Sequence, residues 1–111
     1  MNVRVQSQNI AKVRSDLLIA PLMEGEQNGD LIKEVDGVVG GSLTAEIRRR
    51  KFRGKRNETL LFQSHGRLAC VSLLLIGVGK SKELDQEDWR KVGAIGQRLA
   101  QSQRSKSVAW F

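Results

Sequence analysis

Leu68-Ala-Cys-Val-Ser-Leu-Leu-Leu-Ile-Gly-Val-Gly79 is the longest mostly apolar stretch in the chain, and its reading decides the fold class. At 12 residues, with Ser72 inside it, the stretch is too short to span a bilayer. A continuous apolar run bounded by glycines is the pattern of a strand covered on both faces. We read the strand over Arg67 to Ile76, with Gly77-Val-Gly79 ending it. Just before it, Glu58-Thr-Leu-Leu-Phe-Gln63 and the short Gly-containing connection Ser64-His-Gly-Arg67 predict a hairpin.

Working outward, the segment after the strand carries the best helix start in the sequence. Asp85 is placed to cap it, Glu87 and Asp88 lie in its positive first turn, and Leu84 and Trp89 are spaced for a hydrophobic staple. Trp89, Val92, Gly96 and Leu99 form its apolar stripe, and Gly93, Ala94 and Gly96 permit close approach to a sheet. Ser107-Val-Ala-Trp-Phe111 predicts a last strand whose apolar finish implies that the natural chain continues.

Toward the N-terminus, Asn2 to Gln6 alternates as a short strand does, and Asp16-Leu-Leu-Ile-Ala20 predicts a buried strand stopped by Pro21. Met23 to Asp30 reads as a loop. A helix capped by Asp30 carries Leu31, Ile32 and Val35 and stops at Asp36-Gly37. Ser42 is expected to cap a second helix with Leu43 and Ile47 inward and arginines in its last turn. The order β-β-α-α-β-β-α-β predicts an α/β fold, a mixed β-sheet flanked by helices, in one domain over residues 1–111.

The chain holds 19 Lys and Arg against 12 Asp and Glu, a net charge of +7. The whole excess sits in one segment: Arg48, Arg49, Arg50, Lys51, Arg53, Lys55 and Arg56 fall within nine residues that contain no acid. Such a run reads either as a solvated helix end and loop or as a contact to a phosphate backbone. Phe52 is its single aromatic, so base stacking along one strand has little support, and nucleic-acid binding there would be sequence-nonspecific and salt-sensitive.

Other candidate sites are weaker. Gly79-Lys80-Ser81 lacks the glycine a P-loop places five residues earlier, where Leu74 stands. His65 in a turn reads as an exposed structural residue, and Cys70 as a buried, inert thiol. The carboxylates do not converge, so neither a metal nor a catalytic residue is assigned. One cysteine forms no internal disulfide, and Met1-Asn-Val-Arg-Val-Gln has no apolar leader core, which points to a cytoplasmic chain with no membrane association.

Several strings, in this order and spacing, resemble the N-terminal domain of the leucyl (cytosol) aminopeptidase family. They are Asp16-Leu-Leu-Ile-Ala-Pro-Leu22, Gly40-Gly-Ser-Leu43, Phe52-Arg-Gly-Lys55 before Thr59-Leu-Leu61, Leu73-Leu-Leu-Ile-Gly-Val-Gly-Lys80, and Ser105-Lys-Ser-Val108. The resemblance implies a macro-domain-like fold and a parent enzyme that removes N-terminal residues from peptides. It further implies that the parent is a homohexamer and that its two divalent metal ions, Zn or Mn, lie in a separate C-terminal catalytic domain. The Asn-Thr-Asp-Ala-Glu-Gly-Arg signature of that domain does not occur here, so this chain alone is expected to be non-catalytic. Its expected partners are the catalytic domain and sister subunits, with a role in oligomer assembly and active-site access. Because some family members bind DNA, the resemblance also gives the run from Arg48 to Arg56 an alternative role as a DNA-binding module.

Overall fold

The computed structural model describes residues 2–5, 10–26, 29–80 and 85–111. Its elements are β1 (Asn2–Val5), a 3-10 turn (Ile10–Lys12), β2 (Ser15–Met23), α1 (Asp30–Val39), α2 (Ser42–Arg50), β3 (Thr59–Gln63), β4 (Cys70–Gly79), α3 (Gln86–Ser102) and β5 (Ser107–Trp110). They form one five-stranded sheet in the order β1-β5-β2-β4-β3. The β3–β4 pair is antiparallel and the other neighbours are parallel, so the mixed sheet and the element order are as the sequence predicts.

Two apolar layers explain why β2 and β4 read as unbroken hydrophobic runs. On one face Leu18, Ala20, Leu60, Phe62, Leu73 and Leu75 pack with Ile32, Val35 and Val39 of α1 and with Leu43 and Ile47 of α2. On the other, Leu17, Ile19, Leu74, Ile76 and Val108 pack with Val92 and Ala100 of α3. Strands buried on both faces gain nothing from polar alternation. Gly96 lets α3 settle onto this face: a Cβ there would stand 2.8 Å from the Trp110 ring and 2.9 Å from Ile19 Cδ1. At the other end of the sheet, Asp16 Oδ2 accepts the Lys106 and Ser107 N–H groups, and the Asp16 N–H donates to Ser107 Oγ. One carboxylate thereby fixes the start of β5 beside β2.

Several expected boundaries move. β2 runs through Pro21 to Met23 instead of stopping at it. Ile19 accepts the Phe111 N–H on the β5 side, so Pro21, two residues on, has its nitrogen on that same side, beyond the last β5 partner. Pro is tolerated where no ladder bond is required. Helix α1 passes Asp36-Gly37, because Val39 is buried and Gly40, at φ 68°, supplies the left-handed residue that ends it. Gly29, not Asp30, is its N-cap, and Gly41 stands in that place for α2. The Ser42 hydroxyl donates backward to Val39 O, while the carboxylate of Asp36 accepts from the Thr44 N–H at 3.0 Å and from the Thr44 hydroxyl. A residue expected to end one helix therefore caps the next.

The hairpin is present with a longer connection, 64–69, since β4 begins at Cys70. At the start of α3, Asp85 caps the helix as expected, and Asp88 returns the bond to the Asp85 N–H, which completes a reciprocal capping box. Trp89 does not join the buried stripe; it is 49% exposed, and Val92, Gly96 and Ala100 form the buried line. Gln6, Ser81 and Leu84 lie outside the described residues. No helix among the described residues is long and apolar enough to cross a membrane.

Candidate functional site: the basic segment

The seven bases of residues 48–56 do not form one arm. Arg48, Arg49 and Arg50 occupy the last turn of α2, where cations suit the negative end of the helix dipole. Lys51 turns the chain with φ 57° and donates its N–H to Arg48 O. Phe52 then drops into the core at 4% exposure, its N–H on Ile47 O.

From here the chain crosses the C-terminal ends of β2 and β4. Arg53 O accepts from the Gly25 N–H at 3.2 Å, Gly54 O from the Gly79 N–H at 2.9 Å, and Glu58 O from the Gly77 N–H at 2.7 Å. Glu58 Oε1 accepts the N–H groups of Arg53 and Lys55, which rounds off the loop. Two glycines permit this crossing. A Cβ on Gly54, at φ 84°, would stand 2.6 Å from Met23 O, and a Cβ on Gly77 would overlap the Lys55 carbonyl oxygen.

The same bonds settle what the Gly77-Val-Gly-Lys80 string does. Its glycine N–H groups donate to Glu58 O and Gly54 O, so the backbone donors a phosphate would need are already engaged. The glycines serve the close passage of residues 53–58, and they lie inside β4, which runs through Gly79 instead of ending at Ile76 before a strand-to-helix turn.

All seven basic side chains are exposed. Glu46 takes Arg49 at 2.6 Å and Arg50 at 3.5 Å, and Arg56 meets Asp88 at 2.8 Å. The hydrogen bond from Arg49 holds the Glu46 carboxyl below its usual range, and Glu46 in turn raises the Arg49 guanidinium. Arg49 and Arg50 also line an open groove of about 610 Å³ between α2 and β3, with Gln63, Ser64, His65 and Arg67. The structure thus spreads the run over a helix end, a pinned loop and a groove wall.

His65 is exposed in the hairpin connection, at φ 53°. Cys70 is buried, and burial pushes its thiol up to about 11, far from the thiolate a nucleophile needs. Among the described residues no three or more His, Cys, Asp or Glu side chains gather where they could hold a metal ion. That donor set does not fit a two-metal centre. The capping roles of Asp36 and Glu58 are not legible from residue type alone, although each acts on backbone close in the chain: Asp36 on the Thr44 N–H eight residues on, and Glu58 on the Lys55 and Arg53 N–H groups three and five residues back.

The model of the cytosol aminopeptidase family N-terminal domain matches residues 19–111. The chain belongs to this family. A probable cytosol aminopeptidase of Alkaliphilus oremlandii is 30% identical over 98% of this chain and 22% of its own length. Another, from Stutzerimonas stutzeri, is 36% identical over 83% of this chain and 18% of its own. A tomato leucine aminopeptidase variant superposes with a TM-score of 0.85 at 18% identity, covering 99% of this chain and 22% of that one. That likeness shows the fold. The chain spans about a fifth of the length of these curated relatives.

Proposed function

We propose that this chain is the non-catalytic N-terminal domain of a leucyl aminopeptidase-like metallo-exopeptidase, one that removes N-terminal residues from peptides in the cytoplasm. The observation that carries the reading is the family match over residues 19–111 in a chain that covers only 22% of a full-length relative. In this reading the parent's two divalent metal ions, Zn or Mn, are held by its own C-terminal catalytic domain. They supply Lewis-acid activation of the peptide bond there. The N-terminal domain contributes surface and rigidity: it supports assembly of a homohexamer and shapes access to the active site. The pinned loop 53–58 and the two-sided core suit a part that must keep its shape while other parts bind substrate. The test is release of p-nitroaniline from leucine p-nitroanilide by the purified chain, with and without Mn²⁺ or Zn²⁺. We expect none above the buffer rate; metal-dependent release that follows the protein through purification would end the non-catalytic reading.

A second reading makes the chain a sequence-nonspecific DNA-binding module, and the exposure of all seven basic side chains between Arg48 and Arg56 favours it. Reversing Arg48, Arg49 and Arg50 to Glu should then abolish duplex binding and flatten its salt dependence. Unchanged affinity would remove the segment from consideration.

A further inference from the structure

The sheet ends at β3, and among the described residues no strand lies beyond it. The alternation of an antiparallel pair can be phased from its two ends. The Ser64 N–H donates to Val71 O, and the Gly77 N–H donates to Glu58 O. Glu58, Leu60, Phe62 and Ser64 therefore turn their backbone groups toward β4, and Thr59, Leu61 and Gln63 turn theirs to the open side.

Both faces beside this edge are grooved, and both grooves are basic. On the α2 side stand Arg49, Arg50 and Arg67, with His65 beside them. Arg67 is held in place by a 3.0 Å hydrogen bond from its guanidinium to Val39 O. On the α3 side, Lys91 and Arg98 border a second groove of about 440 Å³ with Ala94, Ile95 and Leu99 in its wall. Glu46 is the one carboxylate lining either groove among the described residues, and it is already engaged by Arg49 and Arg50.

An edge strand offers hydrogen bonds to any extended chain, and charge decides which chain accepts them. A second copy would bring five cations per partner against five of the same sign, which opposes pairing. An acidic segment meets the opposite condition. Side chains of an added strand alternate between the faces, so carboxylates at both phases reach cations. We propose that the outer edge of β3 takes an extended acidic peptide segment as an added strand. Its main chain pairs with Thr59, Leu61 and Gln63, and its carboxylates face Arg49, Arg50 and Arg67 on one side and Lys91 and Arg98 on the other. This goes beyond the peptidase reading and does not depend on it.

The test uses the 111-residue chain and an end-blocked, fluorescently labelled peptide, Thr-Glu-Glu-Val-Glu-Glu-Thr, at low salt. Anisotropy should report saturable binding, and the amides of Thr59, Leu61 and Gln63 should gain protection from hydrogen exchange. The same peptide N-methylated at alternate residues, in the phase that faces β3, keeps its charge but loses its donors. It should bind at least about tenfold more weakly and give no protection. A Lys-for-Glu peptide should not bind. Equal binding of the N-methylated peptide would reduce the site to bare charge attraction and overturn the proposal. So would protection of the three amides on self-association without peptide, or binding of a short duplex DNA that displaces the peptide while leaving those amides unprotected.

Discussion

The two halves of the basic run make an instructive pair. Arg48, Arg49 and Arg50 ride on the outside of a helix end, where the fold asks of them only favourable charge. Two residues past Arg50, Phe52 is buried, Gly54 lies against Met23 O, and the backbone of 53–58 is hydrogen-bonded to the ends of β2 and β4. One acid-free run of charge in the sequence conceals unequal structural roles. In the loop half, the bases decorate a backbone whose path is set by Phe52 and two glycines; in the helix half, side chains are the whole content. A charge run is therefore weak as a functional signal until its backbone has been accounted for.

The largest effects should come from the loop half. Phe52→Ala removes a buried ring and should lower unfolding stability by about 3–5 kcal/mol. Gly77→Ala puts a methyl into the Lys55 carbonyl and should lower it by about 3 kcal/mol. Denaturant midpoints measure both, and near-wild-type values would mean that the loop can leave the strand ends freely.

A smaller effect concerns pH. The Asp88 backbone N–H, donating to the Asp85 side chain, holds the Asp85 carboxyl below its ordinary value. A group whose pKa is depressed by folding stabilises above its unfolded pKa and loses that contribution as pH falls through the folded one. Stability should therefore decline as pH drops below about 4, and Asp85→Asn should shrink that slope. An unchanged slope in the variant would show that other carboxylates carry it.

The smallest effect belongs to the helix half. Arg48→Ala, with no ion pair or hydrogen bond described for its side chain, should leave stability within about 0.5 kcal/mol of wild type in the same denaturant experiment. A loss as large as that of Phe52→Ala would erase the distinction between the halves.

What could be read from the sequence follows the same division between local and non-local causes. The apolar run ending at Gly79, the hairpin before it and the Asp85 cap all depend on neighbours in sequence, and they stand as expected apart from shifted ends. Gly37 suggested a helix end because glycine is a poor helix former, yet burial of Val39 outweighs about 1 kcal/mol of propensity. Trp89 fitted the spacing of the buried stripe and is half-exposed, because Gly96 and Ala100 set where α3 meets the sheet. The place of β5 between β1 and β2 is fixed by Asp16, about ninety residues away. The crossing of 53–58 over the strand ends depends on backbone bonds that no local pattern encodes. For the candidate site, the sequence located the charge but not its division, and the open edge of β3 emerges only from the strand order.

The central claim is that this domain belongs to a longer peptidase, and the most direct measurement is the size of the native protein in its source cells. An immunoblot with an antibody raised against this domain should show a band several times larger than 12.4 kDa. A single band at 12.4 kDa would contradict the claim. The basic helix end and the β3 edge would then be the leading guides to function.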